Sequence, residues 1–71
     1  MQRKPVKSTN VKTVGYDPNT QTLQVEFHSG GVWDYTGIPP GLAEQLQGAQ
    51  SVGGYIAKHV KPHYKATKVT A

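Results

Sequence analysis

Across residues 21–28 (QTLQVEFH), Leu23, Val25 and Phe27 alternate with Thr22, Gln24, Glu26 and His28. Such period-two alternation predicts a strand with one buried and one wetted side. Residues 11–16 (VKTVGY) predict a shorter strand, with Val11 as an apolar entry and Val14 and Tyr16 on one face; Gly15 weakens it and suggests a bulge there. Between the two lies DPNT, residues 17–20, where Pro18 presets φ for a turn and the Asp17 and Asn19 side chains reach nearby backbone. Ser29, Gly30 and Gly31 then supply the positive φ angles of a tight hairpin, and residues 32–35 (VWDY) begin the return strand.

The hairpin register decides where two aromatic rings go. Trp33 and Tyr35 are two residues apart and share one side of a strand. A two-residue loop of Ser29 and Gly30 sets Phe27 opposite Val32 and leaves both rings on the polar face. A three-residue loop with left-handed Gly30 sets Phe27 opposite Gly31, Val25 opposite Trp33 and Leu23 opposite Tyr35, which turns both rings into the core. Burying two aromatics removes more apolar area from water than burying Val32, and it keeps Asp34 out of the interior, so the arithmetic favours the second register. A mixed arrangement, with Trp33 largely buried and the Tyr35 hydroxyl at the surface, is compatible with the same pattern.

After the sheet the period changes. Pro39 and Pro40 suit a helix entrance, Leu42 and Leu46 lie four apart with Ala43 beside them, Ile38 anchors the approach, and Gly48 is a stop. Residues 51–61 (SVGGYIAKHVK) predict a second helix, with Ser51 as N-cap, Val52, Ile56 and Val60 at successive i+4 positions, and Pro62 at its end. Gly53 and Gly54 in its first turn cost about 1 kcal/mol each against Ala, so this helix is expected to start late or to be held by contacts, the alternative being that the bare amides admit something close, such as a phosphate at a helix N-terminus. Residues 1–9 read as a flexible basic arm, 10–64 as the folded domain, and 65–71 as a flexible basic tail, with Tyr64 packing back.

Charge sharpens this division. All eight Lys and Arg residues are terminal: Arg3, Lys4, Lys7 and Lys12 come first, and Lys58, Lys61, Lys65 and Lys68 come last, whereas Asp17, Glu26, Asp34 and Glu44 lie between. Cationic ends suit a polyanion, because Lys and Arg at phosphates release counterions. They serve equally to keep a small domain soluble. A chain of 71 residues without cysteine has no disulfide framework and no thiolate zinc site, which points to a reducing, cytoplasmic setting. No apolar run has the length of a membrane span, and the basic N-terminal stretch lacks the hydrophobic segment of a signal peptide.

Candidate chemistry is sparse. His59 and His63 have an i, i+4 spacing, with His28 as a third imidazole, but Pro62 spoils the helical geometry and no carboxylate is near in sequence, so no metal is expected. Four isolated acids offer no nucleophile–base pair, and Gly53-Gly54 lacks the Lys-Ser/Thr ending of a phosphate loop; neither catalysis nor a cofactor is expected. What remains is a basic surface of Arg3, Lys4, Lys58, Lys61, His63, Lys65 and Lys68, with Trp33, Tyr35, Tyr55 and Tyr64 as aromatic contacts. Lys58 and Lys61 are three apart and are expected on one side of the second helix. For nucleic acid, the two charged ends have to converge in space.

The order VKTVGYD, LQVEF, a Ser-Gly-Gly hairpin, WDY, a proline-led helix and SVGGYIAKHV with a later Tyr resembles the KTSC domain, over about residues 8–64. This module takes its name from the C-terminus of some lysyl-tRNA synthetases and also occurs alone in bacterial and phage proteins. Its central Tyr-X-Tyr is matched by Trp33-Asp34-Tyr35 and its following helix by Ile38-Pro39, with Trp replacing the first Tyr. Ser51, Gly53, Tyr55, His59 and Tyr64 match the second-helix run, from which Val52, Ile56 and Ala57 depart. The resemblance implies RNA or other nucleic-acid binding and no catalytic activity. The expectation is therefore an α+β domain, a three-stranded antiparallel meander with one or two short helices on one face. Its expected role is that of a noncatalytic module making sequence-tolerant phosphate contacts to RNA or DNA. The rival role is a small phage or bacterial module that modulates a host protein through its sheet edge or the Trp33–Tyr35 face.

Overall fold

The computed structural model describes residues 3–69, so Met1 and Gln2 of the expected arm, and Thr70 and Ala71 of the expected tail, lie outside the described residues. The elements are β1 (Lys4–Pro5), β2 (Val11–Asp17), β3 (Thr22–Phe27), β4 (Val32–Tyr35), α1 (Pro40–Gln47), α2 (Val52–Tyr55), a π-helical turn (Ile56–Val60) and β5 (Ala66–Lys68). The fold is α+β, with an antiparallel sheet of five strands, not three, in the order β1-β2-β3-β4-β5. The expected meander is its centre. Lys4–Pro5, read as arm, pairs with β2, and Ala66–Lys68, read as tail, pairs with β4. Backbone hydrogen bonds recruit both edges, and neither carries the apolar alternation that marks a strand in sequence.

The β3–β4 hairpin adopts the three-residue loop. Leu23 faces Tyr35 and Val25 faces Trp33, the Phe27 N–H bonds the Gly31 carbonyl at 2.9 Å, and Gly30 has φ 106°. In β2 the bulge lies at Lys12, where the register shifts between Val11 and Thr13, and not at Gly15, which pairs regularly with Gln24. The extra residue brings Val11 and Val14, three apart in sequence, to the same face, where both are buried.

Rows of side chains therefore cross the sheet. One runs Lys4, Val14, Val25, Trp33, Lys68, and the next core-facing row runs Tyr16, Leu23, Tyr35, Ala66. Between them, Gly15, Gln24, Asp34 and Thr67 point to the other side, as do Thr13 and Glu26. That open face is polar and internally bonded: the Thr13 hydroxyl donates to Glu26 and the Gln24 amide to Asp34, each at 3.0 Å.

The covered face packs under the helices. Ile38, Ala43, Leu46, Val52, Ile56 and Val60 are buried with Val11, Val14, Leu23, Val25 and Tyr35 in one core. The Tyr16 hydroxyl donates to the Ile38 carbonyl and ties the approach of α1 to the sheet. Ser51 caps α2, its Oγ accepting from the Gly54 N–H at 3.2 Å. The glycine pair has a steric cause: a Cβ on Gly53 would lie 2.8 Å from Ser8 Oγ, so bare backbone is what lets the helix rest on the loop before β2. Among the described residues no helix is long and apolar enough to cross a membrane.

Candidate functional site

The helix after Tyr55 widens. The Lys61 N–H bonds the Ile56 carbonyl at 2.8 Å, an i→i+5 link, and Pro62 has no N–H with which to continue a regular ladder. A wider turn rotates each residue through a smaller angle, so residues three apart no longer stack. Lys58 and Lys61, expected side by side, line different depressions. The Lys61 ammonium lies 5.2 Å from the centre of the Phe27 ring, within cation–π range.

Beneath Lys61 is a groove of about 360 Å³ lined by Phe27, Ser29, Trp33, Tyr35, Lys61 and Ala66. The hairpin end supplies Phe27, Ser29 and Trp33, and the end of the π turn supplies Lys61. Tyr35 is only 4 % exposed, whereas Trp33 is half-buried. This reverses the mixed arrangement weighed from sequence, because Tyr35 belongs to the row with Leu23 and Tyr16 while Trp33 belongs to the row that ends on Lys68. Burial raises the Tyr35 phenol above its ordinary value of 10.0 and keeps it neutral and able to donate.

The Trp33 indole lies against Gly31, where a Cβ would come within 3.1 Å of Nε1. Neither the indole N–H nor the Tyr35 hydroxyl has a hydrogen-bond partner among the described residues, and neither is a buried polar atom left unpaired there. Both therefore keep some accessible surface, more for the half-buried Trp33 than for the nearly covered Tyr35.

The basic residues do not converge into one patch. Lys4 and Lys68 end the same side-chain row at opposite edges, four strand spacings or about 19 Å apart. Arg3 precedes β1 on the far edge, while Lys61, His63, Lys65 and Lys68, all exposed, lie in or between the π turn and β5. Three of the four carboxylates engage neutral partners: Asp17 takes the Asn19 N–H, Glu26 the Thr13 hydroxyl and Asp34 the Gln24 amide.

The other aromatics are framework. The Tyr55 hydroxyl donates to Gln45 Oε1 at 3.0 Å and its ring lies 4.6 Å from that of His59, while Tyr64 is half-buried against the core. His28 reaches the Ser8 carbonyl at 3.1 Å. Among the described residues no group of three or more His, Asp or Glu side chains is arranged to hold a metal ion. Phe27 and Ser29 were not among the site residues expected from sequence; the signal for Phe27 is its place as the last strand residue before a glycine turn, where helical cover ends.

A bulged five-stranded antiparallel sheet covered on one face by two short helical segments defines a small α+β domain. Residues 7–64 match the KTSC domain model, and the chain belongs to the KTSC domain family. It superimposes on the crystal structure of a KTSC domain protein from Yersinia pestis with a TM-score of 0.93 and 29 % identity, covering 97 % of each chain. It is 36 % identical over 70 residues to an uncharacterized protein of Stutzerimonas stutzeri, covering 97 % of this chain and 99 % of that one. It is 40 % identical over 55 residues to the lysine–tRNA ligase of Nostoc punctiforme, matching 78 % of this chain but only 10 % of the ligase.

Proposed function

We propose that this domain is a noncatalytic nucleic-acid-binding module whose contact surface is the groove and the β5 edge. The observation that carries the reading is the placing of two exposed cations beside two half-buried rings: Lys61 over Phe27, and Lys68 opposite Trp33 in the sheet register. Phosphates held by lysines next to aromatic faces that meet bases are the usual economy of sequence-tolerant binding. Lys65 extends the cationic edge, with His63 beside it; Arg3 and Lys4 stand outside it, so the reading rests on the C-terminal lysines and not on convergence of the two charged ends. The relatives named lysine–tRNA ligases carry a similar segment in proteins whose name specifies an RNA substrate, which supports RNA.

The test is the salt dependence of affinity for an RNA oligonucleotide. With Lys61 and Lys68 as the phosphate contacts, log K should fall against log salt with a slope of about −1.4 for a single strand. Affinity that ignores salt would remove the reading and favour a packed protein partner.

A further inference from the structure

We propose that the groove receives one unpaired base, so that the ligand is single-stranded nucleic acid and not a duplex. This deepens the function just proposed and rests on it. The floor is largely covered by the fold: Tyr35 is almost fully buried and Phe27 and Trp33 are half-buried, with the exposed Ser29 and Lys61 beside them. Bases within a duplex are stacked on both faces and show only their edges, whereas an unpaired base can turn out and enter. A volume of about 360 Å³ suits one such planar group and not a helix.

The polar groups at this site favour the same occupant. The Trp33 indole N–H, the Tyr35 hydroxyl and the Lys61 ammonium all offer protons, and none of the four carboxylates lines the groove. Base carbonyls and ring nitrogens accept such protons, and the adjoining phosphate meets Lys61 or Lys68. An apolar peptide side chain would leave these donors unpaired. The bare backbone of Gly31 beside Nε1 keeps the indole N–H uncrowded.

Trp33 is the only tryptophan, so its emission reports on the groove directly. The intact chain is titrated at fixed low salt with a single-stranded RNA and with the duplex of the same sequence, and labelled-oligonucleotide anisotropy gives affinity independently. The expected result is quenching by the single strand and an affinity at least about tenfold above that for the duplex, the scale of one base–aromatic stack. Phe27→Leu, which keeps an apolar side chain but removes the ring, should lower single-strand affinity without changing duplex affinity. Duplex binding as tight as single-strand binding, unquenched and weakened by Lys61→Glu, would overturn the unpaired-base inference while sparing the nucleic-acid reading. Absence of binding to either form would overturn both.

Discussion

Lys61 holds its ammonium 5.2 Å from the centre of the Phe27 ring, across the gap between the π turn and the β3–β4 hairpin. Because Lys61 is exposed, the contact contributes little to folding, on the order of 0.5–1 kcal/mol. Lys61→Ala should therefore lower stability by no more than about 1 kcal/mol in urea unfolding while weakening RNA binding. A variant that unfolds would recast Lys61 as a structural residue.

Gly53 and Ser8 are coupled by contact. A Cβ at 53 meets Ser8 Oγ, which already accepts from the Asn10 and Val11 N–H groups at 3.2 Å each and is not free to swing away. Overpacking of this kind costs about 1–3 kcal/mol, against a helix-propensity gain of about 1 kcal/mol. Gly53→Ala should destabilise by about 1 kcal/mol net in the native background and become neutral or stabilising in a Ser8→Ala background. Additive effects in the double-mutant cycle would contradict the contact.

Gly30 fixes the hairpin through its backbone alone, since φ is 106° and a Cβ there would meet nothing within 4 Å. Gly30→Ala should cost about 1–2 kcal/mol from conformation only. Thermal unfolding measures the loss, and a cost near zero would mean the loop relaxes into another turn.

Tyr35 makes stability depend on alkaline pH. Burial raises its folded-state value above 10.0, so the native state holds this proton more tightly than the unfolded chain. The stabilisation is complete below pH 10 and is lost as pH rises through the folded value. Wild type should lose melting temperature above pH 10 more steeply than Tyr35→Phe, which lacks the proton; parallel curves would show that the phenol is not buried from solvent.

Periodicity made β2, β3, β4 and α1 legible, because each carries an apolar stripe at its own repeat. The hairpin register followed from the area of Trp33 and Tyr35, but their relative depth did not, since it depends on which row each ring joins and on where α1 and the π turn end. Lys4–Pro5 and Ala66–Lys68 gave no strand signal, as edge strands are held by main-chain bonds, and the exposed Lys4 and Lys68 are charges of the kind that discourage further pairing at an edge. Spacing alone also hid the π turn: Val52, Ile56 and Val60 fit an α-helix equally well, and the wider turn, closed by the Lys61–Ile56 bond, is what separates Lys58 from Lys61.

Lys4 and Lys68 provide the most direct test, because they end one row of the sheet with equal charge at opposite edges. About 19 Å apart, they are separated by more than two screening lengths at physiological salt, where the Debye length is about 8 Å. The measurement is the affinity of Lys68→Glu and Lys4→Glu for a single-stranded RNA near that ionic strength. A loss of about tenfold or more for Lys68→Glu, with Lys4→Glu close to wild type, is the predicted result. Equal losses would mean that net charge and not a groove attracts the RNA, and no loss in either would contradict binding at the β5 edge.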